Sequence, residues 1–188
     1  MLICICGNDF GYNMGNLKSY TMTLMLYLDH LNGREIKANY WLGFPHEPVD
    51  SLNELLYKLD DMNNASIGAD ELSAWFSNYD RPSNKDGTRE IVKFGRQTRK
   101  RGVKMYFTAQ SWYDVNKALR RITHNIYVTA KYHPDFTLCY DDDCRKPHLL
   151  GITPCRAVDD DLIPLGPEQF YPVIPEIFEV YDTEQIIT

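Results

Sequence analysis

Five short runs of apolar or β-prone residues, each too brief for a buried helix, set the limits on this chain. They are Leu2–Cys6 (LICIC), Lys37–Phe44 (KANYWLGF), Ala65–Ala69 (ASIGA), Val103–Thr108 (VKMYFT) and Asn125–Lys131 (NIYVTAK). Between them lie segments with helical spacing. Ser19–Leu31 is apolar on most faces and stops near Asn32-Gly33. Ser51 opens the next with a capping box, Ser51-x-x-Glu54, and Leu52, Leu55, Leu56 and Leu59 fall on one face. Thr88–Lys100 turns Ile91, Val92 and Phe94 inward and ends at Gly102, and Asp114–Arg121 offers Val115, Ala118 and Leu119. Strands that alternate with helices in this way predict an α/β fold, with a mainly parallel central sheet covered on both faces.

The last third departs from the alternation. Phe136–Tyr140 and Leu149–Cys155 read as two strands of a β-hairpin around the acidic turn Asp141–Asp143. Pro164, Pro167, Pro172 and Pro175 then mark a tail expected to wrap the surface. The expected division is a core over residues 1–135, with 136–188 as hairpin and tail of the same domain. A length of 188 residues fits one domain.

Hydrophobic content of 44% and charge of 24% are ordinary for a globular chain. No apolar run approaches the roughly 18 residues of a bilayer span, and Met1–Cys6 lacks the basic flank of a secretory signal, so the expected location is the cytoplasm. Five cysteines, an odd count, do not read as a disulfide framework. Cys4 and Cys6 lie two apart on a strand and face one side as small apolar fillers. Cys139, Cys144, His148 and Cys155 lack tight Cys-x-x-Cys pairs and are not read as a zinc site. A net charge of −6 excludes a surface generally basic for nucleic acid. It leaves room for a local stripe: Arg89, Lys93, Arg96 and Lys100 recur at three or four residues and share one helical face.

Two features carry chemistry. The loop from the first strand into the first helix ends Gly15-Asn16-Leu17-Lys18-Ser19. A phosphate-binding loop sits at that place in a fold and presents Lys and Ser at the helix start. The glycines of GxxxxGK[ST] are displaced, however, and Tyr12 and Leu17 stand where that pattern has glycine. The second feature is the strand ASIGA ending in Asp70-Glu71, an arrangement that delivers one acid to Mg²⁺ and one to an attacking water. In a parallel sheet the C-terminal strand ends converge on one crevice, which adds Gln110 after VKMYFT.

The motifs around Lys18-Ser19-Tyr20-x-Met22, ANYWLGFPH, DELSAWFSNYDR, RQTRKRGVKMYFTAQS, ALRRIT and EVYDTEQII follow one another in order. Together they resemble the small genome-packaging ATPases of archaeal viruses, within the FtsK–HerA superfamily of P-loop ATPases. The zonula occludens toxin-like assembly ATPases of filamentous phages are more distant relatives. That resemblance implies a RecA-like P-loop NTPase that binds ATP and Mg²⁺. It assigns Gly15, Asn16, Leu17, Lys18, Ser19 and Tyr20 to the nucleotide, and Ser19 and Asp70 to Mg²⁺. Glu71 becomes the catalytic base and Gln110 the sensor of the γ-phosphate. An arginine supplied by a neighbouring subunit is implied as well. Arg81, Arg99, Arg101, Arg120 and Arg121 are open candidates, with Arg81 and Arg120 favoured because they follow site-forming strands. The implied assembly is a homo-oligomeric ring that grips double-stranded DNA by its backbone through the Arg89, Lys93, Arg96 and Lys100 face. Viral capsid or membrane proteins are further expected partners. Two rivals stand beside the motor: a structural or assembly subunit whose irregular loop no longer hydrolyses ATP, and a virion assembly or export ATPase.

Overall fold

The computed structural model describes residues 1–7, 17–49, 51–58, 62–72, 85–141, 143–159 and 161–182. Its strands are β1 (Leu2–Gly7), β2 (Glu35–Ala38), β3 (Trp41–Leu42), β4 (Glu47–Pro48), β5 (Ala65–Ala69), β6 (Lys104–Ala109), β7 (Asn125–Tyr132), β8 (Leu149–Val158), β9 (Asp161–Pro164), β10 (Gln169–Pro172) and β11 (Tyr181–Asp182). The helices are α1 (Lys18–Leu31), α2 (Leu52–Lys58), α3 (Lys85–Lys100) and α4 (Lys117–Arg120), with 3-10 turns at Trp112–Asp114 and Pro175–Val180.

Among the described residues the main sheet has nine strands, ordered β10-β8-β7-β1-β6-β5-β2-β4, with β9 also paired to β8. From β7 to β4 every pairing is parallel, while β8, β9 and β10 add antiparallel strands at one edge. The fold is therefore α/β, as the alternation predicts.

Alternation of side chains along each central strand sorts the core into two layers. Cys4, Cys6, Ile67, Met105 and Phe107 face Leu55 of α2, Phe94 of α3 and Leu119 of α4. Ile3, Ile5, Ile36 and Tyr106 face Met22 and Leu26 of α1. The helices after β1 and β6 thus lie on opposite faces, and β1 and β6 are neighbours. That reversal opens a crevice at their C-terminal ends, where a ligand meets loops from both sides.

The opposite end of the sheet is tied by Arg34. Its guanidinium donates to Ser66 Oγ at 2.7 Å, Asn64 Oδ1 at 2.6 Å, and the carbonyls of Ala65 and Gly102 at 2.6 and 2.5 Å. Asp29, buried on the same face, accepts from Ser66 Oγ, Tyr106 Oη and Lys104 Nζ at 2.7, 2.9 and 2.5 Å.

Three expectations are corrected. The run Lys37–Phe44 is not one strand. β2 ends at Ala38, and Trp41–Leu42 pairs antiparallel with Tyr181–Asp182 in a separate two-stranded sheet. The break arises because Asn39 and Tyr40 turn their side chains to Asp70 and Thr23, while Gly43 N donates to Val180 O at 2.9 Å. Phe136–Tyr140 is not a hairpin arm either. β8 pairs with β7 itself, from Ile126–Cys155 to Tyr132–Leu149, and the 136–140 segment adds one bridge, Tyr132–Leu138. The proline-rich tail does more than wrap, since β9 and β10 extend the sheet and Ile177 packs with Tyr20 and Leu150.

Candidate nucleotide site

The first turn of α1 and the ends of β2, β5 and β6 meet at the crevice. Leu17 precedes α1 with φ 59° and ψ 27°, the left-handed conformation that glycine adopts freely. Its carbonyl accepts from Thr21 N at 2.9 Å and Thr21 Oγ1 at 2.7 Å, which locks the turn. The backbone before Lys18 thus has the left-handed shape open to a glycine, although the side chain is leucine. Leu17 meets that strain by packing against the cluster of Tyr20, Leu150 and Ile177.

Lys18 is buried at the helix start. Ser19 Oγ donates to Asp70, lying 3.0 Å from both Oδ1 and Oδ2. Thr108 Oγ1 donates to Asp70 Oδ1 at 2.5 Å and accepts from Glu71 N at 2.8 Å. Asn39 clamps the Asp70 backbone on both sides: its Nδ2 donates to Asp70 O at 2.9 Å and its Oδ1 accepts from Asp70 N at 2.7 Å. Gln110 Nε2 donates to Glu71 Oε1 at 3.2 Å. Gln110 Oε1 is buried without a hydrogen-bond partner among the described residues.

Burial pushes the Asp70 carboxyl above the ordinary carboxylate range. The Thr108 and Ser19 hydroxyls and the Lys18 charge pull it down, and neighbouring Glu71 adds to the rise. Glu71 itself holds φ 48°, a strained conformation for a branched-free but bulky side chain. Strain of this kind persists where the surroundings over-determine the backbone, here by the Thr108 bond.

Mg²⁺ with a nucleotide fits these residues. A carboxylate disfavoured by its own burial stands against a serine hydroxyl, an all-oxygen donor set suited to a hard cation that keeps several waters. The unsatisfied Gln110 Oε1 beside Glu71 offers an acceptor for a water at the same place.

Ser19, Lys18, Asp70, Glu71 and Gln110 are thus brought together. Tyr20, assigned to the nucleotide as part of the loop-to-helix run, has a buried side chain: its Oη accepts from Ile174 N at 2.8 Å, and its ring lies 5.0 Å from Phe178. Gly15, Asn16 and Arg81 lie outside the described residues, as do Trp75 and Phe76. Arg120 ends α4 on the chain's return to the opposite end of the sheet. Lys93, Arg96 and Lys100 are exposed along α3, and the side chain of Arg89 is outside the description. Arg96, Arg99, Lys100, Arg121 and His124 line a groove at the end of the sheet opposite the crevice.

Asn39 and Thr108 escaped the sequence reading. Asn39 follows β2 directly, as Asp70 follows β5 and Gln110 follows β6, but the sequence placed it inside a longer strand; Thr108 is the last polar residue within β6.

No protein-family model matches the sequence. No curated protein matches it either. Solved structures do. The N-terminal domain of zonular occludens toxin from Neisseria meningitidis is similar over 96% of this chain and 98% of its own, with a TM-score of 0.59 at 15% identity. The genome packaging NTPase B204 from Sulfolobus turreted icosahedral virus 2, in complex with AMP, is similar over 88% of this chain and 96% of its own, with TM-score 0.53 at 10% identity. Its complex with ATP-gammaS covers 81% and 95%, with TM-score 0.51 at 10% identity. These likenesses establish the α/β fold that P-loop NTPases have.

Proposed function

We propose that this chain is an ATP-hydrolysing P-loop motor that moves double-stranded DNA, with viral genome packaging as its setting. The observation that carries the reading is the Ser19–Asp70–Thr108 cluster beside the Gln110–Glu71 pair, at the converging ends of β5 and β6. Ser19 and Asp70 would hold Mg²⁺, which supplies charge neutralisation to the transferring phosphoryl group. Lys18, at the helix start, neutralises phosphate oxygens. Gln110 orients a water through Oε1 while Nε2 keeps Glu71 aimed, and Glu71 takes the proton. Transition-state charge is completed by an arginine from a neighbouring subunit of the ring, with Arg81 and Arg120 the favoured candidates. Lys93, Arg96 and Lys100 supply sequence-independent contacts to the DNA backbone.

The test is Mg·ATP hydrolysis with and without double-stranded DNA, on the native chain and on Glu71→Gln. DNA-stimulated turnover that Glu71→Gln abolishes, with a loss of about 10²-fold or more, is the expected outcome. Turnover that Glu71→Gln leaves intact removes Glu71 as the base.

A second reading, virion assembly or export, draws on the likeness to the toxin domain, which covers more of this chain at a higher TM-score than B204 does. Hydrolysis indifferent to DNA favours it. A structural subunit without hydrolysis is the remaining rival. Leu17→Gly separates it: if the native chain neither binds nor hydrolyses ATP and the glycine restores binding, the loop is a relic.

A further inference from the structure

The connection from β7 to β8 brings His133 together with Cys139, Cys144 and His148. It runs over residues 133–148, and among the described residues its one bridge to a named strand is Tyr132–Leu138. Phe136 and Tyr140 are exposed on it. A connection this long with so little apolar burial needs another source of order.

His133, Cys139, Cys144 and His148 supply one. A ligand atom from each lies within 4.8 Å of all the others. The two imidazoles stack with centroids 5.2 Å apart at 30°. His133 Nδ1 and His148 Nε2 are buried and lack a hydrogen-bond partner among the described residues. Lone pairs buried in that way are costly unless something accepts them. Both thiols are free.

We propose that His133, Cys139, Cys144 and His148 bind one structural Zn²⁺ ion. Two nitrogens and two sulfurs around a common centre select zinc among the divalent ions of a cell. A tetrahedral centre places its ligand atoms roughly 3.3–3.8 Å apart, a small closure from a cluster whose ligand atoms already lie within 4.8 Å of one another. Cys139 and Cys144 bind as thiolates and release their protons to solvent, so the centre is neutral. Lys131, itself buried, donates to Asp141 O at 2.6 Å, the carbonyl that Cys139 Sγ also meets at 3.6 Å.

Local folding prepares the site. His133 N donates to Thr137 O at 2.8 Å and Cys139 N to Lys131 O at 2.8 Å, which folds the first ligand pair into a tight turn. His148 O accepts from Val173 N at 3.0 Å, fixing the last ligand to the residue after β10. The metal therefore staples the end of β7 to the start of β8, at the same end of the sheet as the nucleotide crevice. It stands independently of the ATPase reading. Cys155, paired with Ile126 at the far end of the β7–β8 ladder from Tyr132–Leu149, is not a ligand, and His133 takes the place that the sequence gave it.

The full-length chain, expressed with zinc in the medium and purified without chelator, is analysed for metal by mass spectrometry. About one zinc per chain is expected, lost in Cys144→Ser and in His148→Ala and kept in Cys155→Ser. Cobalt in its place should give the visible spectrum of a tetrahedral thiolate centre. Because a variant can fail to fold, the native chain is also treated with a chelator and exposed to trypsin. Cleavage after Arg145, exposed in this connection, is expected to accelerate roughly tenfold and to be reversed by zinc but not magnesium. Native protein without stoichiometric zinc, zinc retained by Cys144→Ser, cleavage indifferent to metal, or a Cys139–Cys144 disulfide would each overturn the proposal.

Discussion

Asp70→Asn is expected to make the unliganded protein more stable while removing hydrolysis. The carboxylate is held at the end of β5 by Asn39 on its backbone and by hydroxyls from Ser19 and Thr108, yet burial still pushes it above the ordinary range. A folded-state value above the unfolded one means that the ionised form, dominant at neutral pH, opposes folding. Asparagine keeps the shape and an acceptor for the hydroxyls but carries no charge. Relief of one such functional group is worth about 0.5–2 kcal/mol. For a chain of 188 residues each kcal/mol moves Tm by about 2–4 °C, so a rise of several degrees is expected. The pH dependence supplies the sharper check. As pH falls through the folded value of Asp70, the native carboxyl protonates and recovers the lost stability. The advantage of the variant should therefore shrink with acidification and vanish below the unfolded value, near 3.9 or about that. The assay is thermal or urea unfolding of both chains in metal-free buffer across pH 3–8, in about unit steps. A variant less stable at neutral pH, or an advantage independent of pH, would refute the reasoning. Mg²⁺ with a nucleotide should reverse the order, because only the native carboxylate gains a cation.

Asp29→Asn should show the opposite sign. Burial opposes ionisation there, but hydrogen bonds from Lys104, Ser66 and Tyr106 prevail and hold the carboxyl below its usual range. Its contribution is fully present above the unfolded value and is lost as pH falls through the folded one. Lys104 is 31% exposed, so the cost at neutral pH is about 2–4 kcal/mol, below the roughly 3–5 kcal/mol of breaking a fully buried pair, measured by urea midpoints. A gap between native and variant that persists in strong acid contradicts this. Gly68→Ala should lower stability by about 1–3 kcal/mol, since its Cβ would stand 2.5 Å from Leu26 Cδ1 and 3.3 Å from Tyr40 Cε1. Because Leu26 lies on α1, the same change should reduce ATP turnover by displacing Ser19 from Asp70. A double-mutant cycle with Leu26→Val should recover part of the stability, and strictly additive effects would show that the contact does not exist.

The sequence by itself determined the α/β class, the helix that carries Lys18 and Ser19, and the strands that end in Asp70-Glu71 and Gln110. Those features are local. Side-chain period and chain-breaking residues mark strands and helices within a short window, and strand ends show where chemistry collects. Tertiary structure alone decided what depends on strand order and register. Neighbouring strands carried Thr108 and Asn39 to Asp70 from 38 and 31 residues away. Trp41–Leu42 left the expected strand because its pairing partner, Tyr181–Asp182, comes from the far end of the chain. β7 took β8 as its partner, and that register moved Cys155 into the ladder and brought His133 to Cys139, Cys144 and His148. Leu17 shows the division most plainly. Its side chain departs from the phosphate-loop pattern, but the left-handed turn it occupies is a backbone property, imposed by Thr21 and the packing around Tyr20.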